Sequence, residues 1–367
     1  MPNVLSHMHP TIPNLQIVWD STSLRALQFC PRSYQLGILQ GWRGSTVDLE
    51  FGKYFASATE TYAKGRIAGQ DKEQATLAAL RYVMEATWDD DKQRPWGGEY
   101  EQQWHCLGET KFRNAKGNAA KCPYSHKGKW FPGEAPETCG LCGSHTEGHN
   151  TYVPYDKVKN RDTLVRLVAW YCDDQPETAE DAGLFPYSFP DGTPAIELSF
   201  KLPLPILDPT NQPYVLAGHL DGIKTFGGVE TFITDNKTTK SWLSKNYWAQ
   251  FAPNVQVDTY DLAGSILFPD IRLSGVAIEA AQVSQTGAKF GTNIFYRSEG
   301  QREETLREIE WWIKFAEKLA ADDYYPMNKS NCKMCPFNGI CSKDPVSRER
   351  YLRADFKQDI WNPAEER

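Results

Sequence analysis

Two acids and a lysine carry the first chemical signal. The stretch Val215–Thr239 reads Val-Leu-Ala-Gly-His-Leu-Asp221-Gly-Ile-Lys, crosses Gly227-Gly228 and runs on through Thr-Phe-Ile-Thr-Asp235-Asn236-Lys237. Apolar and β-branched runs on either side of a Gly-Gly pair predict two strands joined by a hairpin turn. Side chains alternate along a strand, so Asp235 and Lys237 share one face and Asn236 takes the other. With the strands in register, Asp221 comes close to both. A group of this kind can hold a hard divalent cation and polarise a phosphodiester.

The elements that must position these residues are legible around them. Ala195-Ile-Glu197-Leu-Ser-Phe200 alternates like a first core strand. His219 falls two residues before Asp221 and reads as a packed neighbour rather than a ligand. After the second strand, Lys240, Lys245 and Trp248 combine positive charge with aromatic surface, as a single-strand groove or a solvated loop would, and Pro253 suits the first position of a helix on which Gln256 and Tyr260 share one face. Gly275–Gln282 is expected as the last core strand, with another near Thr292. Gln301–Asp322 reads as a helix with Leu306, Ile309, Ile313, Ala316 and Leu319 on one stripe. At the other end, Asp20-Ser-Thr-Ser caps a helix carrying Leu24 and Leu27, which Pro31 interrupts. Phe51, Phe55 and Tyr62 mark one face of a further helix.

Composition limits the alternatives. The chain has 367 residues, 24% of them charged and 13% aromatic, with 12 Trp. It is long enough for two or three domains and shows no sign of disorder. A net charge of −7 argues against a general polyanion binder, yet local basic patches still allow nucleic-acid contact. No apolar run reaches the ~20 residues that span a bilayer, and no signal peptide opens the chain. The expected location is therefore the cytoplasm of a bacterial or phage-infected cell. No P-loop and no nucleophile elbow is present, which disfavours an ATP motor or a serine hydrolase.

Nine cysteines without a secretory signal favour metal ligation over disulfides. Cys122-Pro-Tyr-Ser-His126 and Cys139-Gly-Leu-Cys142 form a C-x3-H and C-x2-C pair in a Gly- and Pro-rich stretch, the pattern of a zinc knuckle. His126 is the fourth ligand by this reading, with His145 and His149 as competitors. Cys106 and Cys172 lack partners at ligand spacing and read as buried or incidental. A second array, Cys332-x2-Cys335-x5-Cys341, lies near the C-terminus.

Taken together, Asp221, thirteen residues, then Asp235-x-Lys237 resembles the core of the PD-(D/E)XK nucleases. The RecB-like branch, with the CRISPR-associated RecB-type and AddB-type nuclease domains, is the most similar. The resemblance covers about residues 17–92 and 190–345 and implies an α+β, restriction-endonuclease-like αβββαβ core. It implies Mg²⁺ or Mn²⁺ at Asp221 and Asp235, with Glu197 at a further recognisable acidic position. Lys237 would orient the nucleophile, and Gln256 with Tyr260 would position the strand. Cys30, in a Cys-Pro-x-x-Tyr element, would join Cys332, Cys335 and Cys341 in a [4Fe–4S] clasp, zinc being the alternative metal. One departure stands out: the family's Phe-Gly-x-x-x-His helix reads Phe51-Gly52-Lys-Tyr-Phe55-Ala56 here, and Glu60, one turn on, either offers a carboxylate instead or is an exposed helix acid.

The implied activity is a metal-dependent DNA exonuclease acting at single-stranded ends in recombination, repair or phage DNA metabolism, possible helicase or recombination proteins being its partners and membranes excluded. The alternative is a DNA-binding or assembly module on the same fold, with cleavage weakened or lost. The expected organisation is a loose lead-in (1–16), a helical nuclease part with the first cluster cysteine (17–92), a zinc-bearing insertion (93–190) and the nuclease core (191–300). A helix with the cysteine array (301–345) and a peripheral tail (346–367) complete it.

Overall fold

A computed structural model describes residues 7–44, 46–91, 94–108, 112–113, 117–125 and 131–365. In chain order its main elements are β1 (Val18–Trp19), α1 (Ser21–Phe29), α2 (Val47–Ile67), α3 (Lys72–Ala86), β2 (Gly98–Cys106), β3 (Thr146–Pro154) and α4 (Arg161–Asp174). There follow β4 (Leu184–Pro186), β5 (Ile196–Leu207), β6 (Pro213–Phe226), β7 (Glu230–Thr239), α5 (Val255–Leu267), β8 (Leu273–Val283), β9 (Ala288–Phe295) and α6 (Glu299–Ala321).

The expected hairpin is the centre of the sheet. β6 and β7 pair antiparallel up to Phe226 and Glu230, and Gly227 and Gly228 turn the chain at φ +56° and +67°, values that favour residues without a Cβ. From β7 the chain crosses through α5 and returns as β8, parallel to β7, so that Asp235 pairs with Ile278 and Lys237 with Ala280. β8 is buried along almost its whole length, as a strand covered on both faces must be. The order β1-β6-β7-β8-β9, with β4 and β5 also on β6, makes a mixed seven-stranded sheet. Read along the chain, α2-β5-β6-β7-α5-β8 is the expected αβββαβ core.

Two helical layers enclose the sheet. On one side α1, α5 and α6 bury Leu24, Leu27, Val257, Ala263, Ile309 and Ile313 against Ile233, Val276 and Ile278. On the other, α2, α3 and α4 bury Phe51, Phe55, Ala79, Leu164 and Leu167 against Ala281 and Val283. Asp20 caps α1 through the Ser23 N–H at 2.8 Å, and Ser298 with Gln301 forms a capping box at the start of α6. No helix among the described residues is long and apolar enough to cross a membrane.

Three expectations need correction. Residues 7–16 are not loose: Leu15 is buried in the core, and His9 Nε2 donates to the buried Asp208 Oδ2 at 2.7 Å. Helix α5 begins at Val255 with Asn254 as its cap, because the Asn254 side chain accepts from the N–H groups of Gln256 and Val257. Pro253 thus precedes the helix. The inserted unit is also smaller than 93–190. α4 packs on α2 and α3 as part of the body, and β4 joins β6, which leaves the β2–β3 arm as the true outgrowth.

Candidate active site

The register between β6 and β7, with Gly222 opposite Thr234, sets Asp221 opposite Asp235. Asp235 is 2% exposed, and its Oδ2 lies 2.5 Å from Lys237 Nζ. The Gln256 amide, in the first turn of α5, donates to Asp235 Oδ1 at 3.2 Å and to the Tyr260 hydroxyl at 2.9 Å. These contacts follow from the crossover. The crossover brings the first turn of α5 back against β7, so Gln256 faces that strand's acid. Asp221 Oδ2 accepts from the Asn236 N–H at 2.8 Å.

The electrostatics are those of a site short of positive charge. Burial, and then the charge of Asp235, push the Asp221 carboxyl up from 3.8 to about 7, against the pull of Lys237 and the Asn236 N–H. Burial holds the Tyr260 hydroxyl well above its usual range, and both aspartates add to this, so it stays a neutral donor and acceptor. Two facing carboxylates, with one ammonium beside Asp235, offer a hard-oxygen donor set that suits a divalent cation.

Glu197 lies on β5 opposite Asp221, between the pairs Ile196–Gly222 and Leu198–Leu220, in a left-handed conformation at φ +50°. It lines a cavity with Asp221, Glu60 and Ala56. Glu60 is ion-paired with Lys64 on the same helix. Ala56 stands where that cavity meets a larger cleft lined by Asp221, Asp235, Lys237, Gln256 and Tyr260. His219 also lines the cleft, and its Nδ1 is 2.8 Å from Ser199 Oγ.

Some groups around the cleft are not those the sequence suggested. Lys240 is bound to Asp156 at 2.6 Å, and Trp248 packs with Tyr247 and Phe251, which removes both from an open groove. On the loop after β7 Trp242 is exposed, 69% accessible, with Lys289 Nζ 4.8 Å from its ring centre. The tail is not peripheral. Its short strand Lys357–Gln358 pairs with Trp42–Arg43, and Trp361 reaches the cleft, where its ring N–H donates to Asp20 Oδ2 at 2.9 Å. A lone Trp in a charged tail was the only available signal.

The cysteines form two groups. Among the described residues, one set of three or more Cys, His, Asp or Glu has ligand atoms all within 4.8 Å of one another: Cys106, Cys122, Cys139 and Cys142. Cys106, which the sequence left incidental, completes the group because the β2–β3 pairing carries the end of β2 to the turn holding Cys142. His126 lies outside the described residues, and His149 Nε2 is 2.7 Å from Thr151 Oγ1. Cys172 is fully buried in the face of α4. In the second group, the Asn328 N–H donates to Cys30 Sγ at 3.3 Å, and the Asn331 side chain donates to the Phe29 carbonyl at 2.6 Å. Burial and then the nearby Cys335 raise the Cys341 thiol, with Cys30 adding to the effect, and the Asn328 and Asn331 bonds bring the two chain ends together beside Cys30.

Residues 148–342 match the family model described as "PD-(D/E)XK nuclease superfamily". A solved structure described as "Crystal structure of SSO0001" is similar at 15% identity with a TM-score of 0.24. The match covers 40% of this chain and 59% of that one, less than two thirds of its length. No curated protein matches the chain significantly.

Proposed function

The chain belongs to the PD-(D/E)XK nuclease superfamily, and from that membership we propose that it is a Mg²⁺- or Mn²⁺-dependent exonuclease that hydrolyses DNA from single-stranded ends. The observation that carries the proposal is the buried Asp235, fixed by Lys237 and Gln256 and facing Asp221 across the hairpin. Asp221 and Asp235 are the ligands, with Glu197 the adjoining carboxylate. When bound, the cation supplies the positive charge that polarises a phosphoryl oxygen. Lys237 contributes a second, fixed charge beside it and offsets the negative charge that builds up on the phosphate. Gln256 and Tyr260 lock each other and Asp235 in place, which keeps the geometry set before substrate arrives. Glu60 contributes field rather than a bond, since Lys64 engages it.

Linear and circular single-stranded DNA of the same sequence separate the readings. An exonuclease shortens the linear strand and leaves the circle whole, with label released from one end first. Equal attack on the circle would replace the exonuclease by an endonuclease. Retention of both substrates intact while they bind would favour the binding module, to which Ala56 in the position of the family's His gives its one specific support.

Cys30, Cys332, Cys335 and Cys341 are proposed as the ligands of a [4Fe–4S] cluster that clasps the two chain ends, with zinc as the alternative. Four thiolates fit either group, and the Asn328 and Asn331 bonds to the Cys30 loop already hold the ends together. Iron and acid-labile sulfide that vanish in Cys30→Ser are the expected mark of the cluster. Zinc lost in the same variant, without sulfide, would mark the alternative.

A further inference from the structure

Among the described residues, the arm formed by β2 and β3 has little apolar core of its own. Along its nine strand pairs, from Gly98–Pro154 to Cys106–Thr146, only Gly98 and Cys106 are buried. Among the described residues, beyond a small group in which Tyr124 meets Trp104 and Phe131, its buried centre consists of cysteines: Cys106, Cys122 and Cys139, with Cys142 against them. Units with this little core fold only with a staple.

The sulfur geometry identifies the staple. Cys106 Sγ lies 3.3 Å from Cys142 Sγ, and Cys122 Sγ lies 3.7 Å from Cys139 Sγ. Disulfides have sulfurs about 2.05 Å apart. A tetrahedron of thiolates around one ion, with metal–sulfur bonds of about 2.3 Å, spaces its sulfurs by about 3.8 Å. The backbone is shaped to the same end. Cys139-Gly-Leu-Cys142 folds into a tight knuckle in which the Gly143 N–H donates to the Cys139 carbonyl and the Cys139 N–H to the Ser144 carbonyl, each at 2.7 Å. Gly143 makes the turn at φ +69°. The Gly108 N–H donates to Cys106 Sγ at 3.2 Å, and a Cβ at Gly108 would sit 2.9 Å from Cys142 Sγ, so the chain passes the sulfurs where only glycine fits.

We propose that Cys106, Cys122, Cys139 and Cys142 bind one Zn²⁺ as a closed tetrathiolate, with Cys106 and not His126 as the fourth ligand, and that this ion holds the arm folded. Three of the four cysteines are almost wholly buried, and all four positions are filled by protein, which is the mark of a structural rather than a catalytic zinc site. Binding releases the thiol protons to solvent, and the free energy of binding becomes folding free energy of the arm. The assignment stands apart from the nuclease reading.

The test is elemental analysis of the full chain beside Cys106→Ser, His126→Ala and Cys332→Ser. The expected result is one zinc that survives His126→Ala and Cys332→Ser, whereas Cys106→Ser lowers zinc affinity at least about a hundredfold, since even indirect ligand contacts are worth 10–100-fold. Amide exchange should then rise across residues 98–154 and stay unchanged in β6–β8. Should Cys106→Ser fail to fold, cobalt substitution of the native chain reads the donor set directly, four sulfurs giving the charge-transfer intensity of a tetrathiolate. Zinc kept in Cys106→Ser but lost in His126→Ala, a three-sulfur cobalt spectrum, iron in place of zinc at these cysteines, or two disulfides without metal would each overturn the proposal.

Discussion

Lys237→Ala is expected to lower metal-dependent DNA cleavage by about 10²–10³-fold, the cost of removing one preorganised charge from a transition state. The ammonium lies 2.5 Å from Asp235 and is the one cation shown pulling Asp221 down. Its loss therefore has a second signature. Without it Asp221 holds its proton more tightly, so the residual activity should need a higher pH than the native enzyme. DNA affinity should change little, because Lys237 is a single charge already paired with Asp235. Single-turnover rates across pH, with binding measured separately, check both effects. A variant that cleaves at the native rate would remove Lys237 from the chemistry.

Asp221→Asn should abolish cleavage and weaken Mn²⁺ binding, and it should also change stability with a defined sign. The folded carboxyl titrates near 7 and the free one at 3.8. A carboxyl whose folded value is raised contributes stability that is fully present below the unfolded value and is lost as pH rises through the folded value. Between the two the metal-free chain loses at most about 1.4 kcal/mol per pH unit through this group. The Asn variant has no such loss. In the presence of chelator it should therefore be more stable than the native chain at pH 8 and no more stable at pH 4. Metal reverses the balance, because the cation displaces the proton and Asp221 then stabilises the holo form. In the native chain, metal affinity should accordingly fall as pH drops below 7. Equal melting curves for the two chains at pH 8 would contradict the placement of Asp221 against Asp235.

Much of the site was legible because strand and helix periods are local. Alternation put Asp235 and Lys237 on one face, the Gly-Gly pair marked the turn that sets Asp221 opposite, and the i,i+4 spacing joined Gln256 to Tyr260. What the sequence hid depends on long-range pairing. Cys106 has no partner at ligand spacing, and only nine residues of β2 laid against β3 bring it to Cys142. Helix α4 carried no mark to separate it from the insertion around it. Its role appears only when Leu164 and Leu167 meet Phe51 and Phe55. Lys240 and Trp248 had the composition of a binding groove, yet Asp156 and the neighbouring aromatics engage them. Trp361 reaches the cleft because a two-residue strand ties the tail to Trp42–Arg43. Propensity does not encode such a contact.

If Asp221, Asp235 and Lys237 form a metal-dependent hydrolytic site, it works despite Ala56 in the position of the family's His. The direct measurement follows end-labelled single- and double-stranded DNA incubated with the native chain, Lys237→Ala and Ala56→His, in Mg²⁺, in Mn²⁺ and in chelator. The expected result is cleavage by the native chain with metal, none with chelator, and a loss of at least about a hundredfold in Lys237→Ala. DNA that is bound but left intact by both the native chain and Ala56→His, in either metal, would contradict it.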